Sequence, residues 1–247
     1  MASPSKLQVT YNSSAGQVTS LAYGSNVTLN SLLICIVFWQ TESNIPTVSD
    51  SLGNTWSELL ALYDSDSSGK SGVGLYWALN TKGNGVANTV DVNYNNSGTN
   101  YCGLEIDEWS AGSGNSWSGA DGAGQIRLQT GIASPGTFSS GTGFTTASNG
   151  DLVIGAVFDC ENNNPTMSIG SGFSVLYNNV WTSAGVGMAT EYLIQASAGN
   201  TIATFGFTDS ESNGAVTLCG AFKFTASGGG MNQVQEMAWW RNPYKNM

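Results

Sequence analysis

The chain contains no histidine, which removes the commonest general base at neutral pH and the commonest metal-ligating side chain. Charge is scarce as well, at 10% of 247 residues, and it is lopsided, with Lys+Arg 7 against Asp+Glu 17 and a net charge of −10. Nothing in that balance supplies a basic patch able to neutralise a phosphate backbone, so nucleic acid is excluded as an expected partner. Long apolar runs are missing too. The most continuous one in the first half, Ser31 to Trp39, has nine residues, too few to cross a bilayer as a helix, and no membrane partner is expected. Cysteine is limited to four residues, Cys35, Cys102, Cys160 and Cys219, whose spacings fit no zinc pattern; they read as buried structural thiols. Met1 to Lys6 shows neither the charged nor the apolar region of a signal peptide. What is abundant is glycine, 32 residues, together with Ser, Thr and Asn, so hydroxyls and amides supply the solubility, as in proteins displayed outside cells or on particles. Cytoplasmic synthesis combined with an extracellular style of surface points to a virion component.

Ser31-Leu32-Leu33-Ile34-Cys35-Ile36-Val37-Phe38-Trp39 is rich in β-branched and aromatic residues and follows Asn30, the pattern of a strand buried on both faces. A second copy follows at Asn149 to Phe158, with Leu152 answering Leu33 at an offset of 152 − 33 = 119. Pro165-Thr166 answers Pro46-Thr47 at the same offset, Gly185-Val186-Gly187 answers Gly72-Val73-Gly74 at 185 − 72 = 113, and Asn200 answers Asn88 at 200 − 88 = 112. Cys219-Gly220 answers Cys102-Gly103. Insertions in loops produce such drift. The chain is therefore expected to be all-β, an antiparallel jelly-roll-type β-sandwich over residues 1–226 built from two diverged half-repeats, about 30–111 and 149–226, with neither half able to bury its sheet alone. Between them, Gly112 to Gly143 reads as a long Gly- and Ser-rich connection in which only Ile126-Arg127-Leu128 suggests a strand.

The character changes after Ala226. Residues 227–230 form a glycine linker, and Met231 to Met247 reads as an extended docking arm carrying Trp239, Trp240, Arg241, Tyr244 and Lys245. Those are the residue types most often found as interface anchors. Acidic residues outnumber basic ones 16 to 5 through Ala226, whereas the arm sets Arg241 and Lys245 against Glu236 alone. Partners expected through the arm are other virion proteins, with self-association into a homo-oligomer.

Few residues suggest chemistry, and no cofactor is expected. Asp50 and Asn54, in the turn Val48 to Trp56, are the only weak candidates for a metal ion; the reading favoured for them is a turn whose side chains bond its own backbone. Asp64 to Gly69 reads as a solvated hairpin tip. In Glu105-Ile106-Asp107-Glu108-Trp109 strand alternation places Glu105, Asp107 and Trp109 on one face and Glu108 on the other.

That segment resembles the catalytic strand of laminarinase-like β-jelly-roll glycosidases, in which two carboxylates flank the scissile bond. Here Trp109 stands at the position of the second glutamate, so no catalytic residue is carried over. A wider resemblance covers about Lys6 to Ala226. Asn-x-Leu-Leu, Val48-Ser-Asp-Ser-Leu-Gly-Asn-Thr-Trp56, Gly74-Leu-Tyr-Trp-Ala78, Asn88-Thr-Val-x-Val92, Glu108-Trp-Ser-Ala111 and Cys219-Gly-Ala-Phe-Lys-Phe224 are, in that order, similar to the lectin-like, concanavalin A-like β-sandwich modules of bacterial surface proteins and phage structural proteins. The resemblance implies display, adhesion or binding. The expectation is a non-catalytic bacteriophage virion protein, for capsid decoration or cementing or for head- or tail-fibre display, anchored through its termini and located on the virion. Its alternatives are an extracellular carbohydrate-binding or adhesion module that meets cell-surface glycans, and a glycoside hydrolase.

Overall fold

The computed structural model describes residues 3–14, 16–40, 44–64, 70–95, 100–122, 124–160, 166–181, 186–208 and 214–226. Linker and arm, with Trp239, Trp240, Arg241, Tyr244 and Lys245, lie outside the described residues, as do 65–69 of the expected hairpin tip; Asp64, read as part of that solvated tip, is instead buried, its N–H bonded to the Ser71 carbonyl at 2.8 Å. Among the described residues the chain forms strands and no helix. The first half supplies β1 (Ser5–Ser14), β2 (Ser20–Ala22), β3 (Leu32–Gln40), β4 (Thr47–Asp50), β5 (Ser57–Tyr63), β6 (Ser71–Leu79), β7 (Thr89–Asn93) and β8 (Asn100–Ser110). Then come β9 (Asn115–Ala120), β10 (Gln125–Gln129), β11 (Gly136–Ser139), β12 (Phe144–Thr145), β13 (Leu152–Asp159), β14 (Thr166–Ser168), β15 (Ser174–Trp181), β16 (Val186–Ile194), β17 (Asn200–Thr201), β18 (Thr204–Thr208) and β19 (Ala215–Ala226).

Every ladder is antiparallel. Two large sheets, β1-β8-β3-β6-β5 and β10-β19-β13-β16-β15, lie face to face, and β9 also pairs with β19. Each large sheet has a three-stranded sheet on its outer face, β2-β7-β4 on the first and β11-β18-β14 on the second. The alternation of β3 shows why the layers stack in this way. Leu32, Ile34, Ile36 and Phe38 enter the core between the two large sheets, while Leu33, Cys35, Val37 and Trp39 enter the outer core of the first half. A strand with both faces covered must be apolar at successive positions, which accounts for the uninterrupted run. In β13 the same logic sends Leu152, Ile154, Ala156 and Phe158 to the central core and Val153 and Val157 to the other outer core. Phe38 and Phe158 meet across the central core with ring centroids 5.6 Å apart.

Each half thus covers the outer face of its own large sheet, and the inner face is covered only by the other half. The two halves pair their strands in the same nested order: β1 with β8, β2 with β7 and β3 with β6, then β10 with β19, β11 with β18, β12 with β17 and β13 with β16. Residues that face the same way in β3 and β13 correspond at 152 − 32 = 120, one more than the offset of the apolar runs. Leu33 and Leu152 in fact point into different cores. Both strands are entered through a left-handed residue two positions earlier, Asn30 (φ 64) and Gly150 (φ 87), a conformation that Asn and Gly accept most readily.

The segment Gly112 to Gly143 carries the strand expected at Ile126-Arg127-Leu128, as β10, and adds two that were not expected, β9 and β11. These strands are short and need few large apolar residues, because Trp117 and Phe138 alone fill the places that β9 and β11 offer to the cores. Composition therefore concealed them.

Candidate functional site

The Asp50 turn is saturated with donors. Its Oδ1 accepts the backbone N–H groups of Leu52 (3.1 Å) and Asn54 (3.0 Å), and its Oδ2 accepts Asn54 Nδ2 (2.8 Å), Trp56 Nε1 (3.1 Å) and Asn88 Nδ2 (3.2 Å). Burial opposes the charge, but the bonds from Asn54, Asn88 and Trp56 outweigh it and hold the carboxyl below its usual range. The Asn54 side-chain oxygen is itself taken by Thr81 N–H at 3.0 Å. A cation would have to displace these donors, so Asp50 and Asn54 form a structural turn joining β4 to β6 and β7. Among the described residues no group of three or more Cys, Asp and Glu is placed to hold a metal ion.

Strand β8 carries the more unusual arrangement. Glu105, Asp107 and Trp109 do share one face, directed into the central core, and Glu108 faces the other way, where its carboxylate accepts Thr28 N–H and Gln8 Nε2, each at 2.6 Å. Glu105 is 1% exposed and Asp107 0%. Ile36 and Ile34 of β3 flank the two acids on one side; Tyr11 and Val9 of β1 flank them on the other. From the opposite sheet Thr190 of β16 donates its hydroxyl to Glu105, with Oγ1 2.7 and 2.9 Å from the two carboxyl oxygens. Asp107 receives no bond from a conventional donor on either oxygen and faces the Glu105 carboxyl. Burial, the largest cause, raises Glu105 to about 7 against the pull of Thr190, Asp107 and Lys6; burial and then the Glu105 charge push Asp107 well above the carboxylate range. Two like charges cannot both be held there near neutral pH, so the pair keeps a proton.

This pair sits one strand inside a margin of the molecule. Tyr11 is the register partner of Glu105, and Tyr177 of β15 is that of Thr190. Their rings meet at 4.1 Å across the gap between the sheets. Next to them Lys6 Nζ lies 5.5 Å from the centre of the Tyr192 ring, which packs edge-on against Trp109 at 5.0 Å. Two carboxyls that share a proton thus lie on one face, but the second sheet occupies the space a sugar chain would need.

Sequence reasoning missed further buried acids, among them Glu191 and Asp151. Glu191 on β16 points between the second large sheet and its outer sheet, takes Gly170 N–H at 2.6 Å, and is raised to about 7, chiefly by burial. Asp151 faces Asp121, which pairs with Lys223 at 3.4 Å; burial and the Asp121 carboxyl raise Asp151 to about 7. One signal was available: Glu191 lies between Ala189 and Leu193 on the same face of an apolar strand.

No protein-family model matches the chain, and no curated protein does either.

Proposed function

We propose that the chain is a non-catalytic structural protein of a bacteriophage virion, a decoration, cement or fibre-type display protein held to other virion proteins by residues 231–247. The observation that carries the non-catalytic part is the placement of Glu105 and Asp107: the strand that most resembles a glycosidase buries both between two packed sheets, with Glu105 bonded to Thr190 of the opposite one. The nested strand pairing of both halves supports a jelly-roll reading, an architecture found in viral capsid and lectin domains. Fold alone does not determine function; the charge-poor, Gly-rich composition and the aromatic arm supply the rest of the reading. Mass spectrometry of purified particles from the source of this chain should find it at a fixed copy number that falls away when residues 231–247 are deleted. Its absence from particles, or reducing-sugar release from β-glucans lost in Glu105→Gln, overturns the proposal.

One observation favours a carbohydrate-binding module instead. Tyr11 is 55% exposed and, with Val175, Leu176, Tyr177 and Asn178, lines an open groove of about 520 Å³ at the β1/β15 margin. A ring backed by a second ring is a platform for the apolar face of a sugar. Retention on an insoluble polysaccharide that Tyr11→Ala abolishes would select this reading.

A further inference from the structure

The central core that joins the two halves is largely apolar; beside the bonds of Ser71 to Gly214 and Cys160 near the ends of the strands, the Glu105–Thr190 bond, from β8 of one half to β16 of the other, brings a carboxylate into it. We propose that Glu105, Asp107 and Thr190 form a proton-dependent latch between the halves: while the two carboxyls share one proton the β1/β15 margin is closed, and loss of that proton to solvent opens it at the Tyr11–Tyr177 contact.

The charges around the pair decide this. From β1 Lys6 is the cation acting on both carboxyls, and it offsets one negative charge. Neither β3 residue on that face, Ile34 or Ile36, is titratable, and from the opposite sheet Thr190 bonds Glu105, with Tyr177, its register partner on β15, against Tyr11 and with Tyr192 of β16 against Trp109. On the far side of the sheet Tyr23 gives its hydroxyl to the Asp107 carbonyl at 3.2 Å, Cys35 is a buried neutral thiol, and Glu108 is held by Thr28 and Gln8. A second negative charge on the pair therefore has no cation of its own, and Asp107 has no conventional donor to receive it. Water must reach it.

The route of least resistance is the margin. β1 and β15 are edge strands of their sheets, and each is already irregular, with register shifts at Lys6/Gln8 and at Val175/Tyr177. Tyr11 at 55% and Val175 at 49% are among the few large apolar side chains in the open. Edge strands open locally at far lower cost than β3 or β13, whose neighbours hold them on both sides.

Because the folded pair binds its proton more tightly than the unfolded chain does, the latch is closed in mild acid, still holds its proton near neutral pH, and loosens as pH rises above neutrality towards the raised Asp107 value. Native-state hydrogen exchange, corrected for the intrinsic chemical rate, tests it without any variant. Protection of β1 and β15 amides should fall by up to about tenfold per pH unit above neutral, the signature of one linked proton, while β3 and β13 keep theirs. Asp107→Asn should remove that slope, and Thr190→Val should lower β1 and β15 protection even at pH 6. Protection at the margin that is independent of pH, a slope shared equally by β3 and β13, or a slope that persists in a folded Asp107→Asn would each overturn the latch.

Discussion

Glu191→Gln is the sharpest test of how the second half is held together. The carboxyl lies under Gly155, where an added Cβ would come within 2.9 Å of Glu191 Cγ, and the backbone N–H groups of Gly170 and Thr204 only partly offset its burial. Its affinity for a proton rises from 4.5 in the unfolded chain to about 7 in the fold. Raised acid pKa values make the native state bind protons that the unfolded state releases. The stability this group allows is therefore full below pH 4.5 and declines until about pH 7, a loss of up to about 3 kcal/mol at 1.36 kcal/mol per unit. Glutamine keeps the shape and an oxygen for Gly170 but never carries the charge. At pH 8.5 the variant should be the more stable protein, by up to about 3 kcal/mol or roughly 6–12 °C in melting temperature. At pH 4.5, with Glu191 largely protonated, the two should agree within about 1 kcal/mol. Urea titrations of both proteins at the two pH values decide the matter. A difference that does not change with pH, or a variant weaker at pH 8.5, refutes the reasoning.

Three further outcomes follow from the packing. Gly72→Ala should cost about 1–3 kcal/mol or more in chemical denaturation, because its Cβ would stand 2.3 Å from the Trp39 ring, a rigid group with no exposure; Gly103→Ala should cost less, since its nearest neighbour, at 2.8 Å, is the flexible Met188 sulfur. Asp50→Ala should destabilise by about 2–3 kcal/mol by orphaning buried donors. Since the folded carboxyl lies below its ordinary value of 3.8, the wild-type advantage should be present above that pH and disappear as pH falls through the folded value, which melting curves at pH 2 and pH 7 would show. The four cysteines are thiols buried in three different cores, so reductant should leave the melting temperature unchanged and a thiol reagent should label none of them before unfolding; a drop on reduction would contradict this.

The sequence by itself determined the strands whose side chains had to be apolar on both faces. Ser31 to Trp39 and Leu152 to Phe158 could be nothing but central strands, and the alternation of Glu105 to Trp109 already separated Glu108 from the other two acids. Local chemistry also sufficed for the Asp50 turn, since its partners lie close by at Leu52, Asn54 and Trp56, with Asn88 added from β7. Tertiary structure decided what covers each face. Whether Glu105 and Asp107 line an open cleft or a sealed core depends on a sheet more than eighty residues further on, and nothing within β8 encodes the arrival of Thr190. The two apolar runs align at an offset of 119 in the sequence, yet one residue exchanges the two faces of a strand; packing, which admits Leu32 and Leu152 to the same core, relates the two strands at 120. The short strands of Gly112 to Gly143 exist because β19 and β18 present unpaired edges for them to cover, a demand made by distant backbone that local composition cannot express.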